Sequence, residues 1–381
     1  MEDVELAVSS SIAAARVDGD RVVFEPAIAP GRRFAFDFTI RGAAHDDARR
    51  FVTADEVFLD GGAGPTAPLI DGPARVTVCV DAPPGWFFAV SGDPMTPRCG
   101  RLWGTQPTIV AARREAFVLR TDRITVALAP EHHAAAEPLV AEAAAILASL
   151  EARFGPGATH TITIVELSID SAYCMNGVIV LHPGVATSIA EDGREAPFLA
   201  HEIAHQWFGS RTNGPPAYRE GLATLMALET ARRRGEGASY RRALIERERP
   251  ARRGLTIRDI DPSAPWSDYD AVAYARAALA FDRLQSAIGH DAFDTLVRRY
   301  LDAFRGRSGS LDDLLGPLDT IAPGFDRTSF VAEKIDADWD PSADAPRPPA
   351  MRVGVVIAFV GSLAILVFLV RARSQATSGR G

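Results

Sequence analysis

His201-Glu202-Ile203-Ala204-His205 is the stretch on which the reading of this chain turns. Residues four apart on an α-helix share one face, so the two imidazoles can grip a single Zn²⁺ between them. Glu202, one position on, sets a carboxylate within reach of a water on that ion. A third ligand is required. Glu220, in Tyr218-Arg219-Glu220-Gly221, lies fifteen residues past His205, which leaves room for one loop and the start of a second helix. Two His and one Glu with a fourth corner open make a catalytic zinc site rather than a closed structural one. A solvent-facing helix with two ordinary histidines fits less well. Ile203, Ala204, Trp207 and Phe208 make the segment apolar, where unpaired His and Glu side chains are costly. Pro197 and Gly209 supply the start and stop signals of a helix over about 195–208.

Away from the motif the chain changes character once. Residues 5–128 run in short alternating stretches such as Phe34-Ala35-Phe36-Asp37-Phe38-Thr39-Ile40 and Arg75-Val76-Thr77-Val78-Cys79-Val80, broken by Gly and Pro. That alternation predicts an antiparallel β-domain, with a hairpin turn at Asp18-Gly19. From about 136 the pattern is helical: Ala136 to Phe154 is rich in Ala and Leu and stops at Gly155. Strands are expected at His160–Val165 and Val178–Leu181, then helices at about 195–208, 219–234, 270–288, 290–305 and 326–337. The fold class is α+β, with a β-rich N-terminal domain at 1–128 and a helical zinc-binding domain at 129–340. A Pro-rich tether follows at 341–352, then an apolar span at 353–370 and a basic tail at 371–381.

With its flanks, His201-Glu202-Ile203-Ala204-His205-Gln206-Trp207-Phe208-Gly209 followed by Glu220-Gly221-Leu222-Ala223 resembles the zinc-binding core of the aminopeptidase N family of gluzincin metallopeptidases. Upstream, Asp81-Ala82-Pro83-Pro84-Gly85-Trp86 resembles a strand end in that family's β-domain. The resemblance runs from about residue 5 to 340 and is strongest over 197–290. It implies a thermolysin-like catalytic domain, one zinc ion and a peptide or protein substrate. It also implies a catalytic tyrosine, since Val272-Ala273-Tyr274-Ala275-Arg276 is similar to the segment that carries one. The family's exopeptidase signature, Gly-Ala-Met-Glu-Asn, falls at Tyr173-Cys174-Met175-Asn176-Gly177, which makes Met175, Asn176 and Gly177 the expected substrate-binding residues. The Glu that holds a substrate's α-amino group in relatives is absent here. The interval from His205 to Glu220 is shorter than usual for the family, and there is no room for its helical-repeat domain. Both departures imply an open cleft. The family's β-domain starts earlier than this chain does, which implies a reduced domain or an upstream beginning.

Composition is that of a globular protein: 47% hydrophobic and 24% charged residues, with a net charge of −8. That balance gives no reason to expect nucleic-acid binding. The Arg-rich stretch from Arg232 to Arg253, interleaved with Glu246 and Glu248, reads as a solvated helix face. Val353 to Val370 is eighteen residues without a charge. At about 1.5 Å per residue it spans about 27 Å, which predicts a single transmembrane helix in a lipid bilayer. Arg371, Arg373 and Arg380 follow it without an acid, a bias that points the tail to the cytoplasm and the catalytic domain outward. No signal peptide is visible after Met1. Either the chain begins upstream, the reading favoured here, or it is tail-anchored with its body in the cytoplasm. For the cysteines two readings stand: Cys79 paired with Cys99 and Cys174 free, or all three reduced.

The expected chemistry is zinc-assisted peptide hydrolysis, aminopeptidase-like. His201, His205 and Glu220 hold the metal, Glu202 acts as general base and acid, and Tyr274 offers its hydroxyl to the oxyanion. Thr224, four past Glu220 on the same face, is the polar side chain placed to steady a ligand, where a carboxylate would orient a histidine better; Glu229 points away. The rival readings are an endopeptidase or amidase on the same zinc site, and a membrane-anchored scaffold without activity. His45, His132, His133, His160, His182 and His290 have no ligand spacing and read as ordinary polar residues.

Overall fold

The structure is a computed structural model. It describes side chains at residues 51–60, 77, 79, 84–92, 99–101, 111–251 and 253–342. It adds backbone alone at 5–10, 14–18, 21–25, 36–41, 50, 75–76, 78, 93–96, 102–103, 109–110 and 343–344. The span expected at 353–370, the basic tail and most of the tether lie outside the described residues. Residues Met1–Trp339 form one compact unit and Asp340–Gly381 a second.

The N-terminal third is antiparallel throughout. Glu5–Ser10 pairs with Phe36–Arg41, and Ala14–Asp18 with Arg21–Glu25 in a hairpin whose register closes on Asp18 and Arg21. Arg75–Cys79 and Asp93–Thr96 flank Cys99–Trp103. Cys79 sits opposite Cys99 across that ladder and the two form a disulfide, so the paired reading of the cysteines holds. A four-stranded sheet runs Arg50–Val52, Glu56–Asp60, Ile109–Arg114, Trp86–Val90.

Next to it stands a five-stranded mixed sheet in the order Phe117–Arg120, Ile124–Leu128, Ile162–Glu166, Val178–Leu181, Tyr173–Met175. Ile124–Leu128 is parallel to Ile162–Glu166, and the helix Ala136–Phe154 makes the crossover between them. The helix buries Leu139, Ala143, Ile146, Leu147, Leu150 and Phe154, a stripe at spacings of four and three, and ends at Gly155 with φ 72°. Helix-facing and sheet-facing strands alternate alike, so periodicity could not say to which sheet residues 117–128 belong. They lie in the five-stranded sheet, with Ile124–Leu128 parallel to Ile162–Glu166. The sheets share a core: Phe58, Ala89 and Ala111 of one pack with Val165, Val178 and Val180 of the other. Glu56 bridges them, accepting from Arg113 and from the Ser168 backbone N–H at 2.9 Å. The β-rich and helical parts are therefore layers of one unit.

Tyr173–Met175, a strand too short for a sequence signal, is the sheet edge nearest the motif helix. Beyond it the chain is helical. Pro197 sits in the first turn of Ala196–Ala204, where its missing N–H costs nothing. Pro216 does the same for Pro216–Arg233. Both helices are buried on nearly every side, with Leu199, Ala200, Ile203, Ala204, Leu222 and Ala223 fully covered. Trp266–Ile288 is a third helix in three parts: an α-turn, a π-helical stretch Asp270–Arg276 and the α-helix Ala277–Ile288. Gly221 is what lets the second and third pack closely, since a Cβ there would stand 2.6 Å from Ala277 Cβ. One further helix, Gly237–Glu248, occupies the Arg-rich stretch. Among the described residues one helix, Pro130–Phe154, is long and apolar enough to cross a membrane by length and composition. Its apolar stripe is buried in the core described above.

Candidate metal centre and active site

The motif helix ends at Ala204, earlier than Gly209 suggested. His205 is its C-cap, and the chain tightens into turns: the Gln206 N–H donates to Ile203 O at 3.0 Å and the Trp207 N–H to Ala204 O at 2.9 Å. His201 and His205 still face the same way. His201 Nε2 lies 3.1 Å from His205 Nε2, and Glu220 Oε2 lies 3.6 Å from the former and 3.3 Å from the latter. A tetrahedral zinc with bonds of about 2.0–2.1 Å holds its donors about 3.3 Å apart. These three donors meet that requirement without rearrangement, and among the described residues they are the group able to hold a metal.

The other ring nitrogens are tied down. His205 Nδ1 donates to Phe208 O at 2.8 Å, which leaves the Nε2 lone pair free for a metal. His201 Nδ1 is 3.2 Å from Thr224 Oγ1, so Thr224 does steady a ligand, with a hydroxyl in the place of a carboxylate. Glu220 Oε2 is buried and has no hydrogen-bond donor of ordinary geometry. A buried carboxylate oxygen left so, facing two imidazoles, fits a divalent cation.

Electrostatics agree. Burial alone opposes charge on these groups, yet the pull of the nearby His205 and His201 holds the Glu220 carboxyl well below its usual range. Burial lowers the His205 imidazole, but Glu220 and Glu202 outweigh it and lift it to about 9. His201, buried beside it, is pushed down to about 4, with Glu220 opposing the shift. The cluster therefore holds one positive charge against Glu220 even without a metal. Burial also pushes Glu202 up to about 7, against His205 and with Glu220, which suits a group that must both take and give a proton near neutrality.

Tyr274 comes to the same place. Its ring lies over His201, centroids 5.4 Å apart and planes within 13°. Burial and the charge of Glu220 keep its hydroxyl protonated well above the usual tyrosine range. It belongs to the π-helical stretch, a local widening that recurs at functional sites because it re-aims a side chain without ending the helix.

The exopeptidase-like segment divides. Met175 lines the cleft with Tyr173 and Cys174, but Asn176 and Gly177 do not. They make the two-residue turn of the hairpin that pairs Met175 with Val178, with φ 43° and 86°. Both central residues at positive φ mark a type I′ turn, for which Asn-Gly is the favoured sequence. Asn176 is buried there, its backbone N–H donating to Ser210 Oγ at 3.0 Å. Asn176 and Gly177 thus serve the hairpin turn, a role legible as an Asn-Gly pair.

The cleft encloses about 1030 Å³ and also gathers Arg219, Tyr240, Arg247, Trp266 and Tyr269, none of which has a motif signal. Arg247 comes from the stretch that composition reads as solvated. It instead turns inward, its Nε donating to Asp270 Oδ2 at 2.7 Å and its guanidinium lying 4.9 Å above the Tyr274 ring. Glu229 does point away from the metal; it is buried and paired with Arg153 and Gln285. His132 is engaged with Glu166 at 2.8 Å, outside the site.

Residues 171–333 match the model of the peptidase family M1 domain. In structure the chain is similar to an M1 zinc metallopeptidase from Deinococcus radiodurans, with 20% identity and a TM-score of 0.61 over 91% of this chain and 85% of that one. A mutant of that enzyme bound to a Tyr-Ser-Ala substrate matches with 20% identity and a TM-score of 0.60, over 91% and 85%. Leukotriene A4 hydrolase of yeast with bestatin matches with 15% identity and a TM-score of 0.61, over 91% of this chain but 62% of that one. No curated protein matches in sequence. A zinc-shaped donor set on two abutting helices, within the stretch that matches the family model, identifies residues 171–333 as a peptidase family M1 domain, with His201, His205 and Glu220 placed to hold one zinc ion.

Proposed function

We propose that this protein hydrolyses peptide bonds with one zinc ion held by His201, His205 and Glu220, and that it is aminopeptidase-like, acting on short peptides. The convergence of those three donors beside the buried carboxylate of Glu202 carries the reading. When bound, the zinc supplies Lewis acidity, lowering the pKa of water toward 7 and polarising a carbonyl. The chain's own groups do the rest. Glu202 takes the proton of the attacking water and returns it to the leaving amine. Tyr274 donates its hydroxyl proton in a hydrogen bond to the oxygen that gains charge in the transition state. The outer edge of Tyr173–Met175 offers backbone N–H and C=O groups, along which an extended peptide can add as a strand. The tripeptide in the Deinococcus neighbour supports a short substrate.

An endopeptidase or amidase on the same centre is the second reading, favoured by one observation: the stretch resembling the family's exopeptidase signature lacks the amino-holding Glu, and Asn176 does not line the cleft. Comparing an aminoacyl amide with its N-acetylated twin separates the two, since an aminopeptidase loses activity on acetylation. We place the protein in a membrane through residues 353–370, with its catalytic part on the extracytoplasmic side. The uncharged run and the basic tail support this, as does the Cys79–Cys99 disulfide, which favours an oxidising compartment. For the chemistry the decisive experiment is Glu202→Gln. Zinc content stays at one per chain while kcat falls by about 10²–10⁴-fold; full activity in that variant removes Glu202 from its role.

A further inference from the structure

The two arginines of the cleft are not equivalent. Arg247 is held by Asp270 through both Nε and Nη2 and lies on Tyr274. Arg219 has no such partner. Its Nη2 donates to the Tyr269 hydroxyl at 3.4 Å, its Nε is buried without a hydrogen-bond acceptor among the described residues, and the nearest described carboxylate oxygen is Glu220 Oε1 at 4.0 Å. Glu220 faces two imidazoles through its other oxygen, so its charge is shared with them, and 4.0 Å is beyond hydrogen-bond reach of Arg219. The remaining acids of the lining do not help. Glu202 belongs to the proposed chemistry, and Asp170 is exposed, three residues before the edge strand. Arg219 thus presents a rigid fork of donors into the cleft next to the metal centre. Its surroundings are aromatic: Tyr269 stacks on Trp266, centroids 5.9 Å apart, and Trp266 stands 66% exposed at the mouth. Apolar walls lower the local dielectric and strengthen any ion pair formed between them.

We infer that Arg219 binds a carboxylate of the substrate, and that the protein prefers peptides carrying one close to the scissile bond, as an acidic side chain or as the C-terminus of a short peptide. The guanidinium fork matches a carboxylate in a bidentate pair, a geometry a neutral amide cannot copy. This rests on the peptidase reading and names the substrate class that reading leaves open.

Binding to zinc-loaded Glu202→Gln protein tests it, because turnover is then not needed. Calorimetry compares two peptide pairs: Ala-Glu-Ala-amide against Ala-Gln-Ala-amide, and Ala-Ala-Ala with a free C-terminus against its C-terminal amide. In at least one pair the carboxylate form binds about tenfold tighter or more, as expected of a hydrogen bond to a charged group. Which pair shows it identifies the source. Adding Arg219→Gln, or Arg219→Met where Gln disturbs folding, brings that ratio near one while leaving the amide's affinity unchanged within about twofold. A ratio near one in both pairs, absence of binding by all four peptides, or a ratio that survives loss of Arg219 overturns the inference. Cleavage of the neutral peptides by unsubstituted protein is scored separately. Cleavage without a carboxylate preference sinks this inference alone, and a carboxylate preference in binding without zinc-dependent cleavage sinks the peptidase reading alone.

Discussion

At the scale of single residues the site works by holding lone pairs and protons at stated atoms. Thr224 is the clearest case. It contributes no ligand, yet its hydroxyl 3.2 Å from His201 Nδ1 fixes which nitrogen of that ring faces the metal. Thr224→Val keeps the shape and removes the oxygen. Zinc affinity then falls by about 10–100-fold in a chelator competition, as for other groups that orient ligands; an unchanged affinity shows that ring stacking by Tyr274 suffices. Tyr274→Phe addresses the opposite end of the reaction. In the proposed mechanism its hydroxyl acts only when charge develops on the carbonyl oxygen, so kcat drops by about 10²–10³-fold with KM nearly unchanged. A rise in KM at constant kcat assigns Tyr274 to ground-state binding instead. His201, His205 and Glu202 were legible in the sequence because helical spacing sets their geometry, whereas Glu220 reaches them from a second helix. Arg219 and Arg247 were not, because an arginine in a charged stretch looks alike whether its head is in solvent or, as with Arg247, is folded onto an aspartate twenty-three residues later.

At the scale of elements, the distance between two helices decides whether the third ligand arrives. Glu220 comes from a helix that packs against the motif helix on one side and against Ala277–Ile288 on the other, and Gly221 sits at the second contact. A methyl there would stand 2.6 Å from Ala277 Cβ and 3.1 Å from Phe281 Cε2, closer than packed side chains allow. Gly221→Ala is favoured by helix propensity, by about 1 kcal/mol, and opposed by overpacking of about 1–3 kcal/mol. Overpacking wins because the obstructing atoms include the Ala277 backbone carbon. The variant unfolds at lower urea concentration and binds zinc more weakly, since relief of the clash moves Glu220; a higher midpoint with zinc affinity retained shows that the helices yield without cost. The elements also set what sequence periodicity can reveal. The long helices were readable from their apolar stripes. The edge strand Tyr173–Met175 was not, for three residues carry no alternation to detect, although the Asn-Gly pair that follows it is a hairpin signal.

At the scale of the whole molecule, the sheets were foreseeable as strands but not as neighbours. Alternation reports that a strand has a buried face, and only the parallel pairing of Ile124–Leu128 with Ile162–Glu166 reveals which core that face joins. The consequence is one cooperative unit, in which the N-terminal layer supports the strand edge beside the cleft through Phe58 against Tyr173, centroids 5.3 Å apart. Zinc binding is then coupled to the stability of that whole unit, since its three donors come together only when both buried helices are in place. Free zinc at a thousand times its dissociation constant stabilises the native state by about 4 kcal/mol. For a unit of this size, with an unfolding entropy of about 2.1 cal/mol/K per residue, that raises Tm by about 6 °C. Differential scanning calorimetry of metal-free and zinc-loaded protein measures the shift, and the N-terminal and helical parts melt in a single transition in both states. His205→Ala removes one donor and with it most of the shift. Equal shifts in the variant and the unsubstituted protein mean that the metal is held elsewhere, whereas two separated transitions mean that the shared sheet core does not join the layers into one unit.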